Sequence, residues 1–154
     1  MKVHKLQYKQ FIDRNINEVF DFFSNPENLS VITPEKLNFT ILTPCPIKMK
    51  DGQLINYTIT LLGKKIRWRT MITAFEPPKM FIDQQLKGPY SMWHHKHSFK
   101  EVENGVEIID TIHYSVPFGF LGDIINFLFI RRDLENIFKH RKVVIEQYFK
   151  AKEI

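Results

Sequence analysis

The clearest pattern of apolar and polar positions lies in the last quarter of the chain, between Gly122 and Lys150. Apolar residues recur there at steps of three and four, the spacing of one face of an α-helix. The members of this face are Ile124, Phe127, Leu128, Leu134, Ile137, Phe138, Ile145, Tyr148 and Phe149. A helix of this length would be about 40 Å long, so it needs a large partner surface. The region before it is rich in strand patterns, which predicts a curved antiparallel sheet closed around the apolar face.

The elements before this helix alternate between strands and turns. The residues from His4 to Ile12 form a first predicted strand. Asn15 and Glu18 have capping-box spacing and begin a short helix, which Pro26 ends before one or two further turns. Six more strands are predicted: Asn38 to Leu42, Gln53 to Leu62, Lys65 to Phe75, Met80 to Leu86, Tyr90 to Val102 and Val106 to Val116. The order predicts one α+β domain over residues 1–154: strand, two short helices, six strands, long helix.

The last predicted hairpin has its turn signal at Asn104-Gly105. A two-residue loop there would fix the pairing along both strands. The expected inner pairs are Trp93 with Val116, His95 with Tyr114, His97 with Ile112, and Phe99 with Asp110. Buried imidazoles and carboxylates need polar partners. In this register we expect His95, His97, Asp110 and Tyr114 to form one hydrogen-bonded cluster, with Asp110 diagonal to His97.

Composition and charge limit the possible functions. The formal charge of +5 is spread along the chain among acidic residues, which favours a solvated surface over a nucleic-acid site. The single cysteine, Cys45, rules out an internal disulfide framework and favours a reducing compartment. The N-terminal residues alternate in polarity and do not resemble a secretion signal. The most apolar stretch, Phe118 to Ile130, is too short and too interrupted to span a membrane. We therefore expect a cytoplasmic protein.

The pair His95-x-His97 raises two further hypotheses. Its spacing suits metal ligands on one strand face, with Asp110 as the nearest third ligand, but the chain has no HExxH or CxxC motif. The sequence favours hydrogen-bonded histidines and predicts neither a metal nor another cofactor. Acid–base catalysis by a histidine beside a carboxylate is the second hypothesis. A nucleophile–base pair and a GxSxG motif are both missing from the pattern, so an enzyme is the less favoured alternative.

Two more charged residues fall near the expected inner surface. Arg141 lies beside the apolar face of the long helix, where it would either meet a carboxylate or extend to solvent at the rim. An even-length loop at Gly88-Pro89 would place Asp83 on the opposite face of the sheet from His95. The sequence does not decide that length, so both placements stay open.

Three runs carry a family resemblance. They are FFSNPENLSVITP from Phe22 to Pro34, FIDQQLKGPYSMWHHKHSF from Phe81 to Phe99, and D-x-x-x-Y-x-x-P-x-G from Asp110 to Gly119. With the order of elements, they resemble the START-related (SRPBCC, Bet v 1-like) superfamily over essentially the whole chain. The resemblance is strongest to small bacterial proteins of polyketide cyclase/dehydrase type. It implies the helix-grip fold, in which a curved antiparallel sheet of seven strands surrounds the long C-terminal helix.

The resemblance also implies a ligand between the sheet and the helix. The residues then expected around it are Tyr57, Trp68, Trp93, His95, His97, Asp110, Tyr114, Phe127, Leu134, Phe138 and Arg141, with Phe120 in an apolar gate at the helix entrance. Most are apolar or amphipathic, as in small-molecule pockets. The expected function is carriage or sensing of a hydrophobic molecule such as a lipid, polyketide or isoprenoid, with at most transient membrane contact. A cyclase or dehydratase is one alternative, and a protein-interaction module with a filled cavity is another.

Overall fold

The computed structural model describes residues 1–152 and contains one antiparallel sheet. Its strands are β1 (His4–Ile12), β2 (Thr40–Ile41), β3 (Leu54–Leu61), β4 (Lys64–Glu76), β5 (Met80–Lys87), β6 (Met92–Val102) and β7 (Gly105–Ser115). Their order across the sheet is β1-β7-β6-β5-β4-β3-β2, so that successive hairpins build the sheet and β1 closes it beside β7. The sheet is curved around the C-terminal helix, which confirms the predicted α+β architecture. All seven predicted strands are present, and β1 has the predicted bounds.

Two short helices follow β1, as predicted. They are α1 (Ile16–Ser24) and α2 (Leu29–Ile32), separated by a 3₁₀ turn at Pro26–Asn28 and followed by another at Glu35–Leu37. Asn15 caps α1 by accepting a hydrogen bond at 2.8 Å from the backbone N–H of Asn17. The three phenylalanines of α1 pack against the inner face of the sheet at one end and close the core there.

The C-terminal helix runs for 33 residues and has three parts. These are α3 (Gly119–Ile125), a π-helical turn (Asn126–Ile130) and α4 (Arg131–Ala151). Its buried residues are Gly122, Asn126, Leu134, Phe138, Ile145 and Phe149. The predicted apolar face is therefore correct in α4 but wrong before it, because Phe127 is 81% exposed. A π turn holds more residues per turn than an α-helix, so a face extrapolated at 3.6 residues loses its phase there.

The β6–β7 hairpin has a different register from the predicted one. Val102 pairs with Gly105, so the turn residues are Glu103 and Asn104. Asn104 adopts the positive φ of 64°, which asparagine tolerates better than most residues. Gly105 instead lies against the backbone carbonyl of Ile12, where a side chain would collide. The register shifts by two residues, so every residue keeps its predicted face but gains a different partner.

Two apolar clusters lie on the inner face of the sheet. One contains the α1 phenylalanines and the end of α4, and the other contains Trp68, Trp93, Tyr114, Leu134 and Phe138. Within residues 1–152, no helix is long and apolar enough to cross a membrane. A single domain over residues 1–154 stays a prediction, and residues 153 and 154 lie outside the described part.

Candidate functional site

A cavity of about 180 Å³ lies between the inner face of the sheet and α4. Residues of α1, α2, β3, β4, β5, β6 and α4 line it, and most of them are apolar. Its volume is below the roughly 300–1,000 Å³ typical of pockets for drug-sized ligands. The space is thus neither filled by side chains nor as large as a carrier of bulky lipids would need in this conformation. It suits a small molecule.

The structure brings most of the predicted site residues to this cavity. Those that line it are Tyr57, Trp68, Trp93, His95, His97, Leu134, Phe138 and Arg141. Asp110, Tyr114, Phe120 and Phe127 do not. Phe120 is 78% exposed and Phe127 is more so, which makes the placement of Phe127 beside the ligand wrong.

Aromatic rings form one wall of the cavity. Tyr57 and Trp68 are stacked with centroids 5.7 Å apart, and Trp93 meets Trp68 edge to face at 5.6 Å. Tyr90, which sequence reasoning missed, packs against both tryptophans. The Gln85 side chain holds it in place by donating a hydrogen bond to the Tyr90 carbonyl at 2.8 Å. The indole Nε1–H of Trp68 is buried and has no hydrogen-bond partner among residues 1–152.

The polar centre of the site consists of Asp83, His95, His97 and Asp110, which we call the Asp–His cluster. Strands β5, β6 and β7 present these residues side by side, since Asp83 pairs with His95 and His97 pairs with Asp110. The two imidazole rings are tilted by 35° to each other with centroids 3.8 Å apart, and one carboxylate lies at each edge of this pair. Both histidines are buried, and Phe81 stacks on His97 at 4.2 Å.

Hydrogen bonds and close ionic contacts hold the Asp–His cluster together. His95 Nε2 lies 2.8 Å from Asp110 Oδ1, and His97 Nε2 lies 2.9 Å from Asp83 Oδ2. His97 Nδ1 is also 2.9 Å from Asp110 Oδ1, but in a direction that does not form a hydrogen bond. His95 Nδ1 is 3.5 Å from Asp83 Oδ2. Of the predicted hydrogen bonds to Asp110, that of His95 is present, whereas His97 only contacts Asp110 and forms its hydrogen bond with Asp83.

The pKa values of the four groups in the Asp–His cluster shift in different directions. Burial raises the pKa of both carboxyls, but the contacts with His95 and His97 outweigh it and lower the pKa of Asp83, and that of Asp110 even further. Burial and the charge of His97 lower the pKa of His95. Burial would also lower the pKa of His97, but the contacts with Asp110 and Asp83 raise it above its ordinary value. The carboxylates are therefore ionised, and His97 is the preferred site for a proton.

Tyr114 does not belong to the cluster, contrary to the prediction. Its hydroxyl donates a hydrogen bond at 2.8 Å to Oδ1 of Asn126, and both side chains are buried. The two-residue register shift explains the change, because Tyr114 faces Trp93 instead of His95. Sequence analysis missed Asn126 because a regular period of 3.6 residues does not place it on the buried face of the helix.

Arg141 is the second charged group of the cavity. Its guanidinium lies over the Phe138 ring, with Cζ 4.9 Å from the ring centre. Within the described part of the chain it has no ion pair or hydrogen bond with a carboxylate. Of the two placements that the sequence left open, the inward one is observed, but without the carboxylate partner.

The cluster also offers a set of metal donors. One ligand atom from each of Asp83, His95 and His97 lies within 4.8 Å of the other two. Two imidazoles and one carboxylate are ligands that first-row transition metals accept.

Comparison with known proteins identifies the fold. No protein-family model and no curated protein sequence matches the chain. Solved structures do: Zhui aromatase/cyclase from Streptomyces sp. R1128 has a TM-score of 0.78 at 9% identity, covering 99% of this chain and 97% of that one. The protein TTHA0849 from Thermus thermophilus has a TM-score of 0.77 at 12% identity, covering 98% and 100%. Major latex-like protein 151 from Panax ginseng has a TM-score of 0.68 at 13% identity, covering 96% and 97%.

These neighbours are too distant in sequence to show more than the fold. They include Bet v 1-like proteins and a polyketide aromatase/cyclase. The chain therefore has the helix-grip fold that the sequence resemblance implied. This fold accommodates several activities, so function must be argued from the site itself.

Proposed function

We propose that this protein binds and carries a small hydrophobic molecule that bears an oxygen acceptor, such as a carboxylate or a carbonyl group. The proposal rests on one observation: the apolar cavity contains hydrogen-bond donors that no residue among 1–152 satisfies. These donors are the buried indole Nε1–H of Trp68 and the guanidinium of the half-buried Arg141. A small lipid, polyketide or isoprenoid acid that fits about 180 Å³ is the corresponding ligand class.

Unpaired donors in such a cavity favour a polar ligand group. A buried polar group without a partner costs roughly 1–3 kcal/mol, and a charged one costs more. A ligand oxygen that accepts from the Trp68 Nε1–H would remove this cost, and a carboxylate could also form a charge-assisted bond with Arg141 while the apolar body fills the space beside Trp93. A purely apolar ligand would leave this free-energy cost unchanged.

Carriage is favoured over catalysis by the surface around α3. The side chains of Phe118, Phe120, Leu121, Phe127, Leu128 and Phe129 are each more than half exposed, and we call them the exposed apolar segment. The only acid within residues 118–130, Asp123, lies 3.3 Å from His4 Nε2, and Arg131 and Arg132 follow directly. Apolar side chains beside cations match the surface of an anionic bilayer. Transient contact there would let a carrier load or release its ligand.

The principal alternative is an enzyme of cyclase or dehydratase type that uses the same cavity. The similarity to Zhui aromatase/cyclase supports it at the level of the fold. A cytoplasmic location belongs to both proposals and agrees with the exposed, unpaired Cys45.

Mass spectrometry of the purified protein under non-denaturing conditions would identify any molecule that remains bound. Incubating the same complex and repeating the measurement separates the two functions. A carrier keeps its ligand unchanged, whereas an enzyme converts it.

A pair of synthetic ligands tests the recognition of the acceptor. We expect 2-naphthoic acid to quench the fluorescence of the cavity tryptophans, and Arg141→Met to weaken its binding about tenfold, which corresponds to about 1.4 kcal/mol. Binding of 2-methylnaphthalene, which lacks the carboxylate, should change little. Arg132→Met is the control, since Arg132 is exposed on the same helix. Equal loss of both ligands in Arg141→Met, or no binding of either by the native protein, would contradict the proposal.

A further inference from the structure

The Asp–His cluster contains more acceptors than its protons can satisfy. A neutral imidazole has one N–H, and its other nitrogen is an acceptor. When His95 Nε2 donates to Asp110 Oδ1 at 2.8 Å, the lone pair of Nδ1 faces the Asp83 carboxylate at 3.5 Å. Two electron-rich atoms facing each other in a buried site are unfavourable unless a cation binds both.

Protonating both imidazoles would supply the missing N–H groups at a high electrostatic cost. The ring centroids of His95 and His97 lie 3.8 Å apart, and like charges at that distance in a buried site repel strongly. A metal ion on the Asp83 side avoids this repulsion. It accepts a lone pair from a neutral imidazole and from the carboxylate at the same time.

The distances on the Asp83 side already suit a metal ion. Asp83 Oδ2 is 3.5 Å from His95 Nδ1 and 2.9 Å from His97 Nε2. With metal–ligand bonds of about 2.1 Å, neighbouring donors lie about 3.0 Å apart in an octahedral site and about 3.4 Å apart in a tetrahedral one. The third distance, between the donor nitrogens of the two imidazoles, is at most 4.8 Å, so that an ion would have to draw these rings together.

Asp110 has the geometry of a supporting residue on the other edge of the imidazole pair. Its Oδ1 lies within 2.9 Å of the second nitrogen of each histidine. Carboxylates in this position fix the orientation of metal-ligating imidazoles and increase their basicity. The charge also balances, because a divalent cation neutralises the two carboxylates. Asp110 does not line the cavity, whereas the other three residues do.

We propose that Asp83, His95 and His97 bind one divalent transition-metal ion, with Asp110 as the residue that orients both imidazoles. The remaining coordination positions of this ion face the cavity, where a ligand oxygen or a water molecule completes the coordination shell. The sequence favoured histidines without a metal because it offered Asp110 as the nearest third ligand and contains no HExxH or CxxC motif. Asp83, which the sequence could not place, is the residue that changes this conclusion. The proposal does not depend on which organic ligand the cavity holds.

The test uses the full chain, stripped with a chelator and titrated with Zn²⁺ by calorimetry and with Co²⁺ by visible absorption. We expect one equivalent of either ion to bind. Asp110→Asn should weaken binding roughly 10–100-fold, the range for supporting residues, and Asp83→Asn should weaken it more. His94→Gln is the matched control, since His94 lies on the outer face beside His113 and should leave affinity unchanged.

A measurement on the native protein complements these variants in case they fold poorly. Zn²⁺ should shift the imidazole NMR signals of His95 and His97 and leave those of His94 and His113 in place. Failure of the folded native protein to bind Zn²⁺ or Co²⁺ would overturn the proposal. Equal affinity in native protein and Asp83→Asn, or loss of binding in His94→Gln, would overturn it as well.

Discussion

Two buried tyrosine hydroxyls on the inner face of the sheet show how the contribution of one atom to stability depends on its hydrogen-bond partner. The Tyr114 hydroxyl has a partner in Asn126, at 2.8 Å. The Tyr8 hydroxyl is also buried but has no hydrogen-bond partner within residues 1–152. Its ring stacks on Phe138 with centroids 4.5 Å apart, so that the ring rather than the hydroxyl supplies its contacts. Removing the two oxygens should have unequal effects.

We expect Tyr114→Phe to destabilise the protein by about 1–3 kcal/mol, because it leaves the buried amide oxygen of Asn126 without a donor. Tyr8→Phe should change the free energy of unfolding by less than about 0.5 kcal/mol, since no bond is lost. Urea unfolding of both variants beside the native protein measures the difference. Equal destabilisation by the two substitutions would show that the Tyr114–Asn126 bond is not what stabilises this region.

Individual elements of this fold were predictable where local pattern alone determines them. Period-two alternation identified every strand and the inner position of Trp93, His95 and His97, because the side-chain direction depends only on parity. Partners across strands were less predictable. Turn chemistry suggested a loop at Asn104-Gly105, but contact of Gly105 with β1 shifts the hairpin by two residues. That contact is tertiary and leaves no local signal.

Asp83 and the start of the C-terminal helix were unpredictable for related reasons. The pairing of Asp83 with His95 depends on the length of the loop after Lys87, which the sequence left open. In the structure, Tyr90 of this loop packs against both tryptophans. The helix changes phase at a π turn, and Gly122 closely approaches the carbonyl of Pro117. Both contacts join residues that sequence periodicity treats independently. The residues that α4 contributes to the cavity wall were thus predictable, whereas the outward direction of Phe127 was not.

The exposed position of α3 permits a test of the predicted gate at Phe120. Because 78% of this side chain is exposed, Phe120→Ser should change the free energy of unfolding by less than about 0.5 kcal/mol. If the residue gates the cavity, the release rate of 2-naphthoic acid should change several-fold. Stopped-flow fluorescence and thermal melts measure the two quantities. Phe138→Ala is the comparison, since truncating this buried ring should cost about 3–5 kcal/mol. A large drop in melting temperature for Phe120→Ser would exclude the gate.

At the scale of the whole molecule, apolar surface and charge are unevenly arranged. Large apolar side chains are scattered singly elsewhere, as at Phe11, but residues 118–129 bring many together next to Arg131 and Arg132. Contiguous exposed apolar surface of this kind usually marks an interface. The net charge of +5 adds attraction toward an anionic partner. An anionic bilayer satisfies both features, and a second copy of this cationic chain satisfies only the first.

We therefore expect the protein to co-sediment with vesicles of phosphatidylcholine containing phosphatidylglycerol, and much less with phosphatidylcholine alone. Added salt should reduce binding, because it screens the cationic contribution. The double variant Phe127→Ser and Phe129→Ser should lose most binding, since burying each ring contributes about 1.5–3 kcal/mol. Phe11→Ser is the control, because Phe11 is also exposed but lies on β1 outside this segment. A dimer in analytical ultracentrifugation, lost in the double variant and accompanied by no vesicle binding, would assign the segment to self-association instead.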